Sequence, residues 1–115
     1  MTATLGLPRE LRLTTKPAFD HVFDSASSSR DQYFIVLSVG NDLTHPRLGL
    51  VVSRKVSPRA VNRNRIRRVV RESFREHQYD LAACDLVVMA QPAARDADNS
   101  ELRNSLERHW RKSTT

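Results

Sequence analysis

A dense run of arginines lies in the middle of this sequence. Residues 54–75 contain a single acid, Glu72, among nine basic side chains: Arg54, Lys55, Arg59, Arg63, Arg65, Arg67, Arg68, Arg71 and Arg75. Guanidinium groups present planar donors that match phosphate oxygens two at a time. Like charges four residues apart destabilise an isolated helix by about 0.2–0.5 kcal/mol per pair, so stability does not explain this density. The run therefore predicts a polyanionic partner, for which nucleic acid is the best candidate.

The arginine run is predicted to form a helix over roughly residues 61–77. With 3.6 residues per turn, one face collects the less polar side chains: Ile66, Val69, Val70, Ser73, Phe74 and His77. The arginines occupy the rest of the circumference, and four of them stand in one row: Arg63, Arg67, Arg71 and Arg75. The alternative is an ordinary solvated helix face. Such faces usually mix both signs of charge, whereas Glu72 and Glu76 are the only acids here.

Composition places the chain among basic proteins of one domain. It has 115 residues, a net charge of +6 and a pI of about 10.4, and its basic excess is arginine rather than lysine. Cys84 is the one cysteine, which excludes an intramolecular disulfide and fits a reducing cytoplasm. No apolar run approaches the length of a membrane span, and residues 1–13 lack the pattern of a secretory signal. We therefore expect a cytoplasmic protein without a membrane segment.

The remaining elements must position this helix. Thr14 or Thr15 is predicted to cap a first helix with Pro17 in its opening turn, and Asp98 or Asn99 to cap the last helix. Buried or half-buried strands are predicted at 33–39, 47–53 and 86–90, with a short extra strand at 27–31 and an extended arm at 1–13. A helix between two buried strands is a βαβ unit, so we expect a mixed sheet with helices on one face.

Other chemistries have little support in the sequence. There is no zinc-spaced pair of Cys or His and no glycine-rich phosphate loop. The four histidines are scattered: His21 and His109 are predicted at helix edges, His77 near a helix C-terminus, and His45 between strands. We therefore expect neither a catalytic side chain nor a metal site on the protein itself.

Two aromatic residues indicate a second surface. Phe19 and Phe23 lie one turn apart on the first helix, so both rings can face the same way. Proteins that bind single strands without sequence preference combine a basic groove with such aromatic platforms. Periodicity alone favours the alternative that both rings belong to the core, as it does for Leu102, Leu106 and Trp110.

Several segments resemble one known family. The segment RNRIRR, with SRKV before it and RES-F after it, resembles the signature of the protein subunit of bacterial ribonuclease P. The likeness extends to PRELRL, F-x-x-V-F, HPRLGL and the late Trp110, and so covers nearly the whole chain. Within the family the sequence is most similar to the proteobacterial type.

This resemblance implies a fold and an activity. The fold would be α+β, a compact two-layer α/β sandwich of order αβββαβα, whose mixed sheet has a left-handed crossover through the basic helix. Most parallel crossovers, about 98%, are right-handed. The chain would be a single RNA-binding domain spanning 1–115, monomeric by itself. Its enzyme removes the 5′ leader from precursor tRNA by means of a catalytic RNA that binds most of the magnesium, and the protein assists without an active site of its own.

The resemblance also assigns residues to two RNA-binding surfaces. The catalytic RNA would contact the basic run: Arg54, Lys55, Arg59, Arg63, Asn64, Arg65, Arg67, Arg68, Arg71 and Arg75. The leader would lie in a cleft formed by Arg12, Lys16, Phe19, Phe23 and Leu37. Two positions depart from the family pattern. Leu37 stands where some members have a tyrosine, and Ser57-Pro58 stands where a glycine often precedes the basic helix.

Two alternatives remain open at this point. A non-enzymatic RNA-binding module, such as a ribosomal or RNA-chaperone protein, would show the same salt-dependent binding without promoting leader removal. An autonomous nuclease would cleave RNA alone and require one of the histidines. DNA binding is less favoured because the sequence has neither a helix-turn-helix pattern nor a dimer signal.

Overall fold

Three helices and a four-stranded mixed sheet make up residues 7–113, which this computed structural model describes. The elements are α1 (Lys16–Ser25), β1 (Ser27–Arg30), β2 (Phe34–Gly40), β3 (Arg47–Val51), α2 (Ala60–His77), β4 (Cys84–Ala90) and α3 (Asn99–Arg111). Short 3-10 turns occupy Arg9–Leu11 and Pro92–Asp96. The predicted α+β class and the order αβββαβα are confirmed.

The sheet has the strand order β1-β2-β4-β3. The β1–β2 and β2–β4 pairs are antiparallel, whereas β3 and β4 are parallel, with Leu48 opposite Leu86. Because α2 connects the two parallel strands, the predicted βαβ unit and mixed sheet are confirmed. The left hand of that crossover stays a prediction from the resemblance.

The main core lies between one face of the sheet and the pair α2 and α3. Strand β4 is central and nearly all apolar, and its side chains on this face pack against the apolar stripes of both helices. Trp110 of α3 is buried edge-on to Phe74 of α2, with ring centroids 6.1 Å apart. Its indole Nε1 donates a hydrogen bond to the buried Ser73 Oγ at 2.8 Å. This bond satisfies both polar groups in the core and fixes α3 against α2.

Helix α1 lies on the opposite face of the sheet, so the expectation of helices on one face is wrong. Its Val22 is fully buried against Leu13 and Val87. The reason is that β2 is apolar on both sides: Leu37 and Val39 face α1 while their neighbours face the main core. A helix of 10 residues is only about 15 Å long, so it covers part of this second face and leaves the rest open.

The helix starts follow their capping residues. Thr15 Oγ1 accepts a hydrogen bond from the Ala18 N–H at 3.3 Å, and Pro17 lies in the first turn. Asp98 and Glu101 form a reciprocal capping box at the start of α3. The strand bounds differ from the predicted ones by one or two residues, and β1 confirms the short extra strand.

The sequence predicted an extended N-terminal arm, but the arm contains a 3-10 turn and is not extended throughout. Pro8 precedes the 3-10 turn, and Leu7, Leu11 and Leu13 are buried. The Leu13 N–H donates to the Leu48 carbonyl at 2.9 Å, so the arm lies along the outer edge of β3. Leu7 and Leu11 join the main core and Leu13 joins the cluster under α1, so burial of these three side chains explains why the arm packs on the sheet. Residues 1–6 of the predicted arm lie outside the described residues.

A buried polar network connects β1 to α3. His109, predicted at a helix edge, is instead buried at 3% exposure. Its Nδ1 lies 2.7 Å from Ser29 Oγ, and its Nε2 lies 3.3 Å from Asp31 Oδ2, although not aligned for a hydrogen bond. Asp31 also accepts hydrogen bonds from Ser105 Oγ and from two backbone N–H groups. The histidine is therefore a structural residue of the α3 interface.

This network makes stability depend on pH. Burial lowers the pKa of His109 below its usual 6.5 despite the attraction of Asp31, and the positive charges of Lys112 and Arg108 lower it further. The unfolded chain then binds a proton more readily than the native protein as the pH falls through 6.5. We expect the free energy of unfolding to fall between pH 7 and pH 5, with a contribution of up to about 1.4 kcal/mol per pH unit from His109.

Urea unfolding at a series of pH values measures this effect. His109→Gln should flatten the curve between pH 7 and 5, whatever it does to stability at pH 7. Below about pH 4 both proteins should lose stability together, because hydrogen bonds hold the pKa of Asp31 below its ordinary value even though burial acts to raise it. Equal slopes for the two proteins from pH 7 to 5 would show that His109 does not carry the effect.

Candidate RNA interface

The outward face of α2 is a row of basic side chains. Its apolar stripe of Ile66, Val69, Val70 and Phe74 is buried. On the opposite side Asn64, Arg68 and Arg71 are exposed and Arg75 is half-buried. We call Asn64, Arg68, Arg71 and Arg75 the outward row. Partial burial lowers the pKa of Arg71, and the nearby positive charges of Arg67 and Arg12 lower it further. This uncompensated repulsion would be relieved by a polyanion such as an RNA backbone.

Two arginines of the predicted site, Arg63 and Arg67, also hold the protein together. Arg63 donates to the Ser57 carbonyl at 3.0 Å, and Arg67 donates to Asn64 Oδ1 at 3.2 Å and weakly to the Val52 carbonyl at 3.4 Å. The bonds to Ser57 and Val52 attach α2 to the segment that leads into it from β3. Since a guanidinium has five N–H donors, the remaining donors can still meet phosphates.

Arg65 makes corresponding contacts on the other flank of α2. Its guanidinium donates to Asn99 Oδ1 at 2.8 Å and to the Arg95 carbonyl at 3.1 Å. These bonds attach α2 to the 3-10 turn and to the start of α3. The sequence analysis missed this role because the partners lie 30 and 34 residues away along the chain.

The segment before α2 exposes three more cations. Arg54, Lys55 and Arg59 are all exposed, whereas Ser57 is buried. Ser57 Oγ accepts hydrogen bonds from the Arg59 N–H at 3.2 Å and from Asn62 Nδ2 at 3.1 Å, which fixes this turn. No residue other than glycine in 7–113 has a positive φ, so Ser57 replaces the family's glycine without backbone strain.

The aromatic residues of α1 form one wall of a shallow cleft over the sheet. The rings of Phe19 and Phe23 are stacked, with centroids 6.4 Å apart and planes 28° from parallel. Phe23 is 49% exposed, so the interpretation of both rings as core is wrong for Phe23. Phe19 is half-buried and packs in one apolar cluster with Leu37. The structure therefore brings these three predicted cleft residues to the same face of the sheet.

Gly49 of β3 lets Phe19 approach the sheet closely. A Cβ atom at this position would lie 2.7 Å from the ring of Phe19, closer than such atoms approach. The glycine therefore determines how deep the cleft is beside Phe19. The sequence analysis did not single it out, although an isolated glycine in an apolar strand is a recognised signal of close approach.

Arg12 and Lys16, the two cations assigned to the cleft, have different surroundings. Arg12 lines a cavity of about 230 Å³ together with Phe19 and Arg71, at the point where the arm, the cleft and α2 meet. Lys16 is exposed and forms an ion pair with Asp20, one turn along α1, at 2.7 Å. Of these two cations, Arg12 is thus the one that lies next to both the predicted cleft and the basic face of α2.

An ion pair fixes one end of the cleft floor. Arg47 of β3 donates two hydrogen bonds to the carboxylate of Asp85 on β4, at 2.8 and 2.7 Å, and Asn41 donates a third at 2.9 Å. Burial acts to raise the pKa of Asp85, but the bonds from Arg47 and Asn41 outweigh it and lower the pKa. This pair of a half-buried arginine and a buried aspartate holds the two parallel strands in register.

Within residues 7–113, no group of three or more His, Cys, Asp and Glu side chains is arranged to hold a metal ion. In the same part of the chain, no helix is both long and apolar enough to span a membrane.

The chain is similar to known proteins along almost its full length. A family model described as Ribonuclease P matches residues 7–114. The chain belongs to the ribonuclease P protein family. The ribonuclease P protein component of Thioalkalivibrio sulfidiphilus is 44% identical over 115 residues, which are 100% of this chain and 96% of that protein. That of Methylococcus capsulatus is 48% identical over 105 residues, 91% of this chain and 82% of that protein. These relatives confirm the resemblance.

Solved structures of the family share the fold. The ribonuclease P protein of Staphylococcus aureus superposes with a TM-score of 0.82 at 34% identity, over 89% of this chain and 93% of that one. The ribonuclease P protein of Thermotoga maritima gives a TM-score of 0.80 at 29% identity, over 90% and 98% of the two chains. The chain is therefore a protein subunit of ribonuclease P, a ribonucleoprotein endoribonuclease of tRNA processing, and its partner is the RNA of that enzyme.

Proposed function

We propose that the protein binds the catalytic RNA with the outward row of α2 and holds the 5′ leader of precursor tRNA in the cleft beside α1. The observation that supports this division best is the presence of two different surfaces on one domain. The outward row is charged, which suits phosphates, whereas the stacked rings of Phe19 and Phe23 suit unpaired bases.

The two surfaces meet at the cavity lined by Arg12, Phe19 and Arg71. An RNA strand in the cleft would therefore run next to the RNA bound on α2. Cations at this junction would lower the repulsion between the two backbones. The complex would favour precursor over product because mature tRNA has no leader to occupy the cleft.

In this proposal the RNA subunit carries out phosphodiester hydrolysis and binds most of the magnesium. The residues described here do not form a metal site, so no step is assigned to a metal held by the protein. Buried His109 already interacts with Ser29 and Asp31, which gives no support to an autonomous nuclease. We further propose that the protein alone is monomeric and that the enzyme works in the cytoplasm.

Reconstitution at low magnesium tests the proposal. Purified protein and catalytic RNA are mixed with a precursor tRNA that has a leader of about ten nucleotides, and each component is also assayed alone. We expect cleavage by the mixture at a magnesium concentration where the RNA alone is nearly inactive, because the protein's cations reduce repulsion between the RNAs. A precursor with a one-nucleotide leader is the control, since its leader is too short to occupy the cleft.

The outcomes separate the alternatives. Equal stimulation of the two precursors would contradict leader binding in the cleft. Cleavage by the protein alone would contradict the assignment of chemistry to the RNA. Binding of the catalytic RNA without any stimulation would favour a non-enzymatic RNA-binding module.

A further inference from the structure

A cavity of about 530 Å³ lies beside the C-terminal ends of α2 and α3. It is separate from the cleft beside α1, and neither the outward row nor the cleft residues line it. Leu81 and Trp110 are buried residues of its lining, and the exposed Tyr79 also lines it. We call this cavity the Tyr79 pocket. Its volume suits one planar heterocycle with its sugar.

Tyr79 is the most exposed large hydrophobic side chain in the described part of the chain, at 91%. A ring so exposed adds little to the stability of the protein, since it buries almost no apolar area. It offers a flat surface for stacking beside a cavity whose lining includes the apolar side chains of Leu81 and Trp110. Such a surface can stack an unpaired base of a nucleic acid, whatever the sequence of the rest of the strand.

The Tyr79 pocket continues the outward row of α2. Arg68, Arg75 and Tyr79 are separated by seven and four residues, which places them on one side of a helix. Gln78 still has helical dihedral angles, with φ −57° and ψ −32°, so the turn extends past the end of α2 towards Tyr79. An RNA backbone bound along Arg68 and Arg75 would therefore reach Tyr79 one turn further on.

The polar groups of the pocket select a base rather than a phosphate. Asp80 and Glu107 both contribute to its lining, and carboxylates repel phosphate but accept hydrogen bonds from N–H groups. Guanine presents adjacent N1–H and N2–H₂ donors on its Watson–Crick edge, which one carboxylate can accept together. Uracil presents only one N–H there, between two carbonyl oxygens that a carboxylate repels. Arg111, also at the pocket, supplies a cation for the adjoining phosphate.

We propose that the Tyr79 pocket binds one unpaired guanine of the catalytic RNA, stacked on Tyr79 with its Watson–Crick edge towards Asp80 or Glu107. The inference rests on the proposed docking of that RNA on the outward row. It adds a recognition site, specific for a base, at the end of a surface that otherwise contacts phosphates.

Binding of the catalytic RNA to Tyr79→Ala and Tyr79→Phe tests the proposal. We expect Tyr79→Ala to weaken binding by about 5- to 150-fold, the range of one base–aromatic stack. The log–log salt slope should stay unchanged because no phosphate contact is lost. Tyr79→Phe keeps the ring and should bind like the unchanged protein. Kethoxal, which modifies the N1 and N2 edge of unpaired guanine, should find one guanine protected by the unchanged protein and reactive with Tyr79→Ala.

Arg68→Ala, measured in parallel, separates the proposed guanine site from the proposed docking of the RNA on α2. If Arg68→Ala weakens binding and Tyr79→Ala does not, the pocket proposal is overturned and the docking of RNA on α2 stands. If neither variant changes the affinity, both are overturned. Equal losses for Tyr79→Ala and Tyr79→Phe would exclude stacking. Because Tyr79 is exposed, unchanged thermal unfolding of both variants is expected, and it confirms that the losses are not due to misfolding.

Discussion

Raising the salt concentration from 50 to 200 mM is expected to weaken binding of the protein to the catalytic RNA by about 10³- to 10⁵-fold, the range for six to ten phosphate contacts. The exposed cations of α2 and of the segment before it are enough for the lower end of this range: Arg54, Lys55, Arg59, Arg68 and Arg71, with half-buried Arg75. Filter binding over a series of salt concentrations measures the slope. A slope that corresponds to one or two contacts would contradict engagement of the whole outward row.

Arg68→Ala is the sharpest single change on this surface. Arg68 is exposed, and no hydrogen bond or ion pair connects it to another described residue, so its loss should leave the fold intact. We expect weaker binding and a slope smaller by about one contact. Arg108→Ala is the matched control. It removes the same charge from the exposed face of α3, where the side chain lies 3.5 Å from Asp31, and it should leave the slope unchanged.

Phe19→Ala and Phe23→Ala are expected to reduce the preference for precursor over mature tRNA by about 5- to 150-fold if each ring stacks on one leader base. Binding of the catalytic RNA and of mature tRNA should change little. Phe23→Ala is the cleaner variant because half of its side chain is exposed. Phe19→Ala also empties the space over Gly49 and should lower stability, so its melting temperature must be measured beside its affinity.

Leu37→Tyr supplies the complementary test on the cleft floor. It introduces the ring that some family members have at this position, next to Phe19 and on the face that α1 leaves partly open. Stronger precursor binding by Leu37→Tyr and weaker binding by Phe23→Ala would together locate the leader in the cleft. If both variants discriminate precursor from mature tRNA as the unchanged protein does, the leader is bound elsewhere.

Arg65 illustrates why the basic run should not be treated as ten equivalent contacts. Removal of its side chain would break its bonds to Asn99 and to the Arg95 carbonyl, and so loosen α3 and the 3-10 turn as well as any phosphate contact. A loss of RNA binding in Arg65→Ala would therefore combine two causes. The outward row of α2 separates them, because its exposed members project away from the core.

The sequence by itself determined the helix and strand order and the buried stripe of α2, and it narrowed each cap to two neighbouring residues, of which the structure selects Thr15 and Asp98. These features depend on residues within about one turn of each other, so periodicity and local hydrogen-bonding groups reveal them. The density of arginine likewise indicated a polyanionic partner without knowledge of the fold. The family motif at Arg63–Arg68 then identified which polyanion.

Only the tertiary structure decided which distant residues meet. Ser29 reaches His109 across 80 residues, and Arg65 reaches Asn99 across 34. Phe19 packs over Gly49 only because α1 crosses the sheet there, and Tyr79 lies beside a cavity only because α2 and α3 end together. Such contacts depend on strand order and helix packing. The spacing of residues along the chain carries almost no information about either. The sequence therefore predicted the partner and the two surfaces, whereas the fold determined which side chains are free to bind and which hold the domain together.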